Sequence, residues 1–282
     1  MRNKHLIDLS GLGKQLTRIA PYYATEDDIA VYHTPDYIER VQQLCAAGGG
    51  DTGEGAEAGP ESYEIALLAA GGGMAAVDAV VDGRVRRAFA NIRPPGHHAM
   101  SDKGMGFCIF NNVVIAARYA QRKHGAERAA IVDFDVHHGN GSQDIFWSDQ
   151  SVMYCSTHQM PLYPGTGAVS ERGDRDTIVN APLRPGDGGD IFRAAFETAI
   201  LPRLESFGPD LIVISAGFDA HWRDPLANLN LTEADFAWAT QKLMALADTR
   251  CEGRIVSLLE GGYDLDGLSK SVAAHLSALM GA

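Results

Sequence analysis

Cysteine is sparse in this chain: Cys45, Cys108, Cys155 and Cys251 stand far apart, with no Cys-x-x-Cys pair among them. That spacing indicates neither a disulfide framework nor a thiolate zinc site, and the four read as small buried hydrophobes. Cations are also scarce: 24 Lys and Arg stand against 36 Asp and Glu, a net charge of -12, and no Lys/Arg cluster or stacking platform interrupts the acidic balance. Such a surface argues against nucleic acid as a partner and weakly favours cationic substrates. No apolar stretch approaches the ~20 residues that span a bilayer. The segment from Met1 to Ser10 mixes Arg2, Lys4, His5 and Asp8 with short apolar runs only, unlike a signal peptide. A cytoplasmic protein with no membrane partner is expected. Linkers and internal repeats are missing too, so the 282 residues, 45% of them hydrophobic, read as one domain over 1–282.

What the chain does have is alternation. Five short runs, Arg87 to Ile92, Ala129 to Phe134, Ser151 to Ser156, Asp210 to Ala216 and Arg254 to Leu259, have the length and continuity of strands buried on both faces. Helical spacing lies between and around them, over Glu61 to Val81, Asn111 to His124, Ile191 to Ser206 and Thr232 to Asp248. Thr232 followed by Glu233 and Asp235 reads as an N-cap with acidic residues in the first turn. The expected class is α/β, a mostly parallel open sheet with helices on both faces. The glycine-rich tract Gly48 to Gly55 lacks the Gly-Lys-Ser/Thr ending of a phosphate cradle and follows a helix, so it reads as a flexible surface loop. Gly71-Gly72-Gly73, inside a helical pattern, marks close packing or a break.

Ligands of open parallel sheets bind beyond the carboxyl ends of the strands, and the notable polar residues fall there. His97-His98 follows the first strand in Arg93-Pro94-Pro95-Gly96-His97-His98-Ala99, an acid/base pair in a Pro/Gly-stiffened loop. Asp133-Phe134-Asp135-Val136-His137-His138-Gly139 ends the second, Ser156 to His158 the third, Asp219 to Asp224 the fourth, and Glu260-Gly261-Gly262-Tyr263 the fifth. Asp135 and His137, two apart on an extended strand end, present side chains on one face and can share one ion. A third ligand is needed, and spacing leaves Asp219 and Asp224 as candidates. Three O/N ligands without thiolate describe a catalytic zinc or iron with an open position for water. A metal beside paired histidines points to hydrolysis.

The chain resembles the zinc-dependent histone deacetylase superfamily, its class II-like and bacterial amidohydrolase members above all. The resemblance rests on Arg93-Pro94-Pro95-Gly96-His97-His98, Gly106-Phe107-Cys108-Ile109-Phe110-Asn111-Asn112, Asp133-x-Asp135-x-His137-His138-Gly139-Asn140-Gly141, Tyr163-Pro164-Gly165-Thr166-Gly167, Asp224-Pro225-Leu226 and Glu260-Gly261-Gly262-Tyr263, in family order. It implies zinc, or iron in its place, on Asp135, His137 and Asp224 rather than Asp219. It makes His98 the principal base and acid, His97 its electrostatic partner, Asp133 the residue that orients His97, and Asn140 a position where class II enzymes carry asparagine. Tyr263 would donate to the oxyanion. Gly106, Phe107 and Tyr163 would wall a narrow apolar tunnel, and Asp133, Ser156 and the carbonyls of Asp135 and His137 would hold potassium.

The reaction so implied is hydrolysis of an acetyl-lysine-like amide on an acetylated protein or a small acetyl-amine. Polyamine-selective relatives carry glutamate seven residues beyond the third ligand; counted from Asp224 that position is Leu231, which would favour singly charged acyl-amides over acetylpolyamines. Alternatives are an acetylpolyamine or other small-amide hydrolase, a binuclear arginase-type enzyme, and a catalytically silent acyl-amine binding module. The Asp-x-His-x-Asp order of binuclear enzymes is absent, and Tyr263 argues against silence. One departure from the family is expected: its usual N-terminal edge strand and rim loop are missing, the chain starting at Met1-Arg2-Asn3-Lys4-His5 close to Tyr22 and Glu26.

Overall fold

The structure, a computed structural model, describes residues 6–8 and 11–281. Its frame is a six-stranded sheet built of β1 (Arg87–Ala90), β2 (Ala129–Asp133), β3 (Val152–Gln159), β4 (Ile178–Leu183), β5 (Leu211–Ala216) and β6 (Ile255–Leu259). Every neighbouring pair in the order β1-β6-β5-β2-β3-β4 is parallel. The helices are α1 (Pro35–Ala46), α2 (Ser62–Val81), α3 (Asn112–His124), α4 (Asn140–Ile145), α5 (Gly189–Ala195), α6 (Leu201–Phe207), α7 (Glu233–Arg250) and α8 (Leu265–Leu279).

Strands β2, β3, β5 and β6 are buried along their whole length because helices cover both faces. The two-residue alternation of a strand divides them: Ala130 and Val132 enter the core under α5 to α8, while Ala129 and Ile131 enter the one under α2 and α3. The five expected strands are present. The sixth, β4, lies outside the sequence reading because Asn180 and Pro182 break its apolar run, and Pro182, which has no N–H to give, is tolerated because β4 is an edge strand paired only with β3. Helices α1, α4 and α8 escape that reading as well, α4 being only six residues long. For α1 a start signal exists, Thr34 accepting from the Tyr37 amide ahead of Pro35; for α8 it is Asp264 accepting from Gly267. The expected helix over Ile191 to Ser206 is interrupted by a π turn at Phe196–Ile200, which accommodates the missing amide and the ring of Pro202. Thr232 and Asp235 do form a capping box at the start of α7.

Gly71-Gly72-Gly73 does not break α2. A Cβ on Gly71 would lie 1.8 Å from the Tyr22 carbonyl oxygen, so the triplet serves close packing. By length and composition α2 could cross a membrane, a stretch the sequence reading overlooked, but 61% of that window is buried inside the fold against the sheet and α3. The expected departure at the N-terminus concerns Met1 to His5, which lie outside the described residues; β1 is one edge of the sheet, with Ile7, Leu16 and Ile19 beside it.

A buried polar bridge joins β6, α7 and α8. Thr240 Oγ1 donates to the Phe236 carbonyl at 2.6 Å, so it accepts from His275 Nδ1 at 2.7 Å, and Ser257 donates to His275 Nε2 at 2.9 Å. Burial pushes this histidine down to about 3. The unfolded chain takes a proton near the usual 6.5 and the folded chain does not, so the contribution is complete above 6.5 and is lost as pH falls from there toward 3. Between pH 7 and pH 5 this one group should cost about 2 kcal/mol of stability. Denaturant unfolding of wild type and His275→Asn at both pH values tests this: the variant should lose about 2 kcal/mol less on acidification, and equal losses would refute the assignment.

Candidate active site

The carboxyl ends of the strands bring the sequence-predicted residues to one place. The loop after β1 carries His97 and His98, whose rings lie 4.0 Å apart. His97 Nδ1 donates to Asp133 Oδ2 at 2.9 Å, and that carboxylate also accepts from Tyr154 (3.1 Å) and, through Oδ1, from the Asp135 amide (3.1 Å). Asn140, the first residue of α4, directs its amide nitrogen to the His98 carbonyl and the sulfurs of Met100 and Met105, so its oxygen receives His98 Nδ1–H at 2.8 Å. His98 Nε2 is thereby left with a lone pair. Burial would lower His97, but the charges of Asp133 and Asp135 hold it up to about 10, while burial and the neighbouring His97 push His98 well below the ordinary range. One ring is cationic and the other a neutral base.

Asp135, His137 and Asp219 form a second group, with one potential ligand atom from each lying within 4.8 Å of the others, all buried. His137 Nδ1 is 3.2 Å from Asp135 Oδ1 and 3.0 Å from Asp219 Oδ2. Despite burial, these two carboxylates hold a proton on His137 up to about 11, and His97 and His137 keep Asp135 well below the carboxylate range. Burial and Asp135 raise Asp219 to about 7. Two carboxylates and an imidazole converging without thiolate suit a hard or borderline divalent cation, so the donor set fits the expected metal.

Asp224, the third ligand that the resemblance implies, lies in the same neighbourhood, burial raising its carboxyl with Asp135 among the charges that add to the effect. Asp224 Oδ2 accepts the Tyr263 amide at 2.8 Å and the Asp264 amide at 3.4 Å, and Oδ1 accepts the Leu226 amide at 3.0 Å. Asp224 thereby fastens a loop, and Asp219, three residues past β5, accepts the Val136 amide at 2.8 Å and stands beside Asp135 and His137. The substrate-side placement of Leu231 is corrected: it is fully buried in the core under α5 to α8 and does not line the cavity, whereas Leu226, two residues beyond Asp224, does.

That cavity measures about 330 Å³, with His98, His137 and Tyr263 at its base and Phe107, Tyr163 and Leu226 along its walls. Tyr163 stands edge-on to His98 at 5.1 Å and Phe107 edge-on to Tyr263 at 5.9 Å. Gly106 is required here, since at φ 55° a Cβ would lie 2.5 Å from His98 Cδ2. Phe107 takes a left-handed φ of 68°, held by amide bonds from Gly106 to Glu54 (3.1 Å) and from Phe107 to Gly55 (3.0 Å). The glycine-rich tract is therefore the ordered rim of the cavity rather than a free surface loop, and Glu54 and Gly55 line it. Asp51 accepting from Gly53, Gly55 and Ala56 was the available local signal. Burial, then Asp219 and Asp135, raise Tyr263 above the usual phenol range, so its hydroxyl stays a donor. Ser156, inside β3, pairs its hydroxyl with His158 Nδ1 at 2.8 Å.

A parallel α/β sheet carrying an Asp/His/Asp group, an oriented histidine pair and a phenol at one apolar cavity defines the amidohydrolase class of site. The comparisons specify it further. The histone deacetylase domain family matches residues 2–279. The chain is 42% identical over 266 residues to the histone deacetylase-like amidohydrolase of Pseudomonas aeruginosa, covering 93% of this chain and 70% of that one. It is 37% identical over 286 residues to human polyamine deacetylase HDAC10, covering 96% and 42% respectively. The crystal structure of the HDA15 HD domain superposes with a TM-score of 0.94 at 36% identity, over 99% of this chain and 81% of that one. The chain belongs to the histone deacetylase family and is a hydrolase of acetylated amides.

Proposed function

We propose that the protein is a zinc-dependent deacetylase of acetyl-lysine-like N-acyl amides. The observation that carries this is the convergence of a neutral, oriented His98, a protonated Tyr263 and His137, a member of the buried Asp135/His137/Asp219 group, on one apolar cavity. The walls formed by Phe107, Tyr163 and Leu226 suit an alkyl chain with the amide at its end. Zinc, or iron in its place, held by Asp135, His137 and Asp224, the third ligand that the family resemblance implies, would polarise the amide carbonyl and acidify the attacking water. His98 Nε2 takes the proton of that water, with Asn140 fixing its tautomer. Tyr263 donates its hydroxyl to the developing oxyanion. His97, kept cationic by Asp133, stabilises that charge, and the proton on the histidine pair passes to the leaving amine. Potassium would bind Asp133, Ser156 and the carbonyls of Asp135 and His137 as a structural ion. A cytoplasmic location with acetylated protein or a small acetyl-amine as substrate completes the reading.

Leu226 offers apolar contact and no counter-charge, which supports singly charged acyl-amides over acetylpolyamines. Comparing kcat/KM for an acetyl-lysine peptide and acetylspermidine tests this. Wild type should prefer the peptide, and Leu226→Glu should move the ratio at least ~10-fold toward acetylspermidine, worth about 1.4 kcal/mol. Preference of wild type for acetylspermidine, or an unmoved ratio, would reject the assignment.

A further inference from the structure

Glu260 is fully buried directly after β6, between the strand that leads to the histidine loop and the strand that leads to Asp219. Its Oε2 accepts the backbone amides of Gly96 at 2.6 Å and His97 at 3.2 Å, and Oε1 accepts the Ser215 hydroxyl of β5 at 3.2 Å. The grip is returned, because Arg93 Nη1 from the same histidine loop donates to the Glu260 carbonyl at 3.1 Å. One residue on, the Gly261 amide donates to Asp135 Oδ2 at 2.8 Å, and Tyr263 follows two residues later. The histidine pair, a residue of the Asp/His/Asp group and the phenol are thus held in register around one side chain.

We propose that Glu260 is a positioning residue: by accepting the Gly96 and His97 amides it sets the placement of His97 and His98 against Tyr263 and the Asp135/His137/Asp219 group. It touches no substrate and acts through the backbone it holds. The inference rests on the functional reading above for its consequence in turnover. Reach, not charge, is what the geometry demands. A glutamine can present its oxygen to both amides and its nitrogen to the Ser215 oxygen, keeping every bond. An aspartate keeps the charge but, one carbon–carbon bond of roughly 1.5 Å shorter, cannot reach the amides from the same backbone. A leucine leaves two buried amides without an acceptor.

Wild type, Glu260→Gln, Glu260→Asp and Glu260→Leu should therefore be compared in zinc-loaded form for kcat and KM on an acetyl-lysine peptide, for bound zinc, and for the low-field proton NMR signal of His97 Nδ1–H against Asp133. Glu260→Gln should stay within about 3-fold of wild type in kcat, whereas Glu260→Asp and Glu260→Leu should fall by ~30-fold or more with KM within about 3-fold and zinc retained. The His97 signal should persist in wild type and Glu260→Gln and be broadened or lost in the other two. A kcat for Glu260→Asp equal to or above that of Glu260→Gln would overturn the proposal, as would wild-type kcat in Glu260→Leu or a loss confined to KM. If Glu260→Leu does not fold, the order of the Gln and Asp variants decides. Should wild type turn over no acyl-amide, the functional reading fails, and the His97 signal alone tests the positioning role.

Discussion

Asp224→Ala should strip the protein of its catalytic metal and reduce amide hydrolysis by ~1,000-fold or more, with Asp135→Ala and His137→Ala doing the same. Each substitution leaves two protein ligands, too few to hold a divalent cation at micromolar concentration. Asp219→Ala should behave differently. That carboxylate accepts the Val136 amide at 2.8 Å and faces His137 Nδ1 at 3.0 Å, so its loss should loosen His137 while metal stays bound. Metal analysis of the purified variants separates the two aspartates, and bound metal in Asp224→Ala with none in Asp219→Ala would reverse the assignment.

Tyr263→Phe should lower kcat by ~100-fold or more while leaving KM and bound metal near wild type. The hydroxyl is a neutral donor at any ordinary pH, since burial and the carboxylates of Asp219 and Asp135 raise it above the usual phenol range. A donor aimed at charge that exists only in the transition state affects turnover rather than ground-state binding. The phenylalanine keeps the ring that packs against Phe107 at 5.9 Å, so the wall survives the change. Steady-state kinetics on an acetyl-lysine peptide measure the effect. An unchanged kcat would remove the tyrosine from the reaction.

The parts of the fold legible in the sequence are those where local pattern and burial agree. The four strands buried along both faces each carry an apolar run, as a parallel sheet under two helical layers demands, with the polar residues of β2 and β3 gathered at their carboxyl ends. Strand β4 is hidden because its stability comes from pairing with β3 at an edge, where Asn180 and Pro182 cost little. At the site, His97, His98, Asp133, Asp135, His137 and Tyr263 stand out by residue type at strand ends, whereas Asn140, the first residue of α4, stands out only through the family motif. Asp219 and Asp224 do not separate by spacing, since both are aspartates in one loop. The substrate position counted from Asp224 falls on Leu231, which the fold uses as core, while Leu226 lines the cavity, because the turn after Asp224 is set by contacts that spacing does not show. Beyond the local turn at Asp51, the rim role of Glu54 and Gly55 arises from contacts distant in sequence, Glu54 pairing with Met105 and the Gly55 carbonyl accepting from Phe107.

The most direct test of the central claim is a titration of metal-free protein with zinc, following acetate released from an acetyl-lysine peptide. Activity should rise linearly and saturate at one zinc per chain, and chelation should abolish it. Saturation at two metals per chain, or acetate release that persists in the chelated protein, would contradict the account.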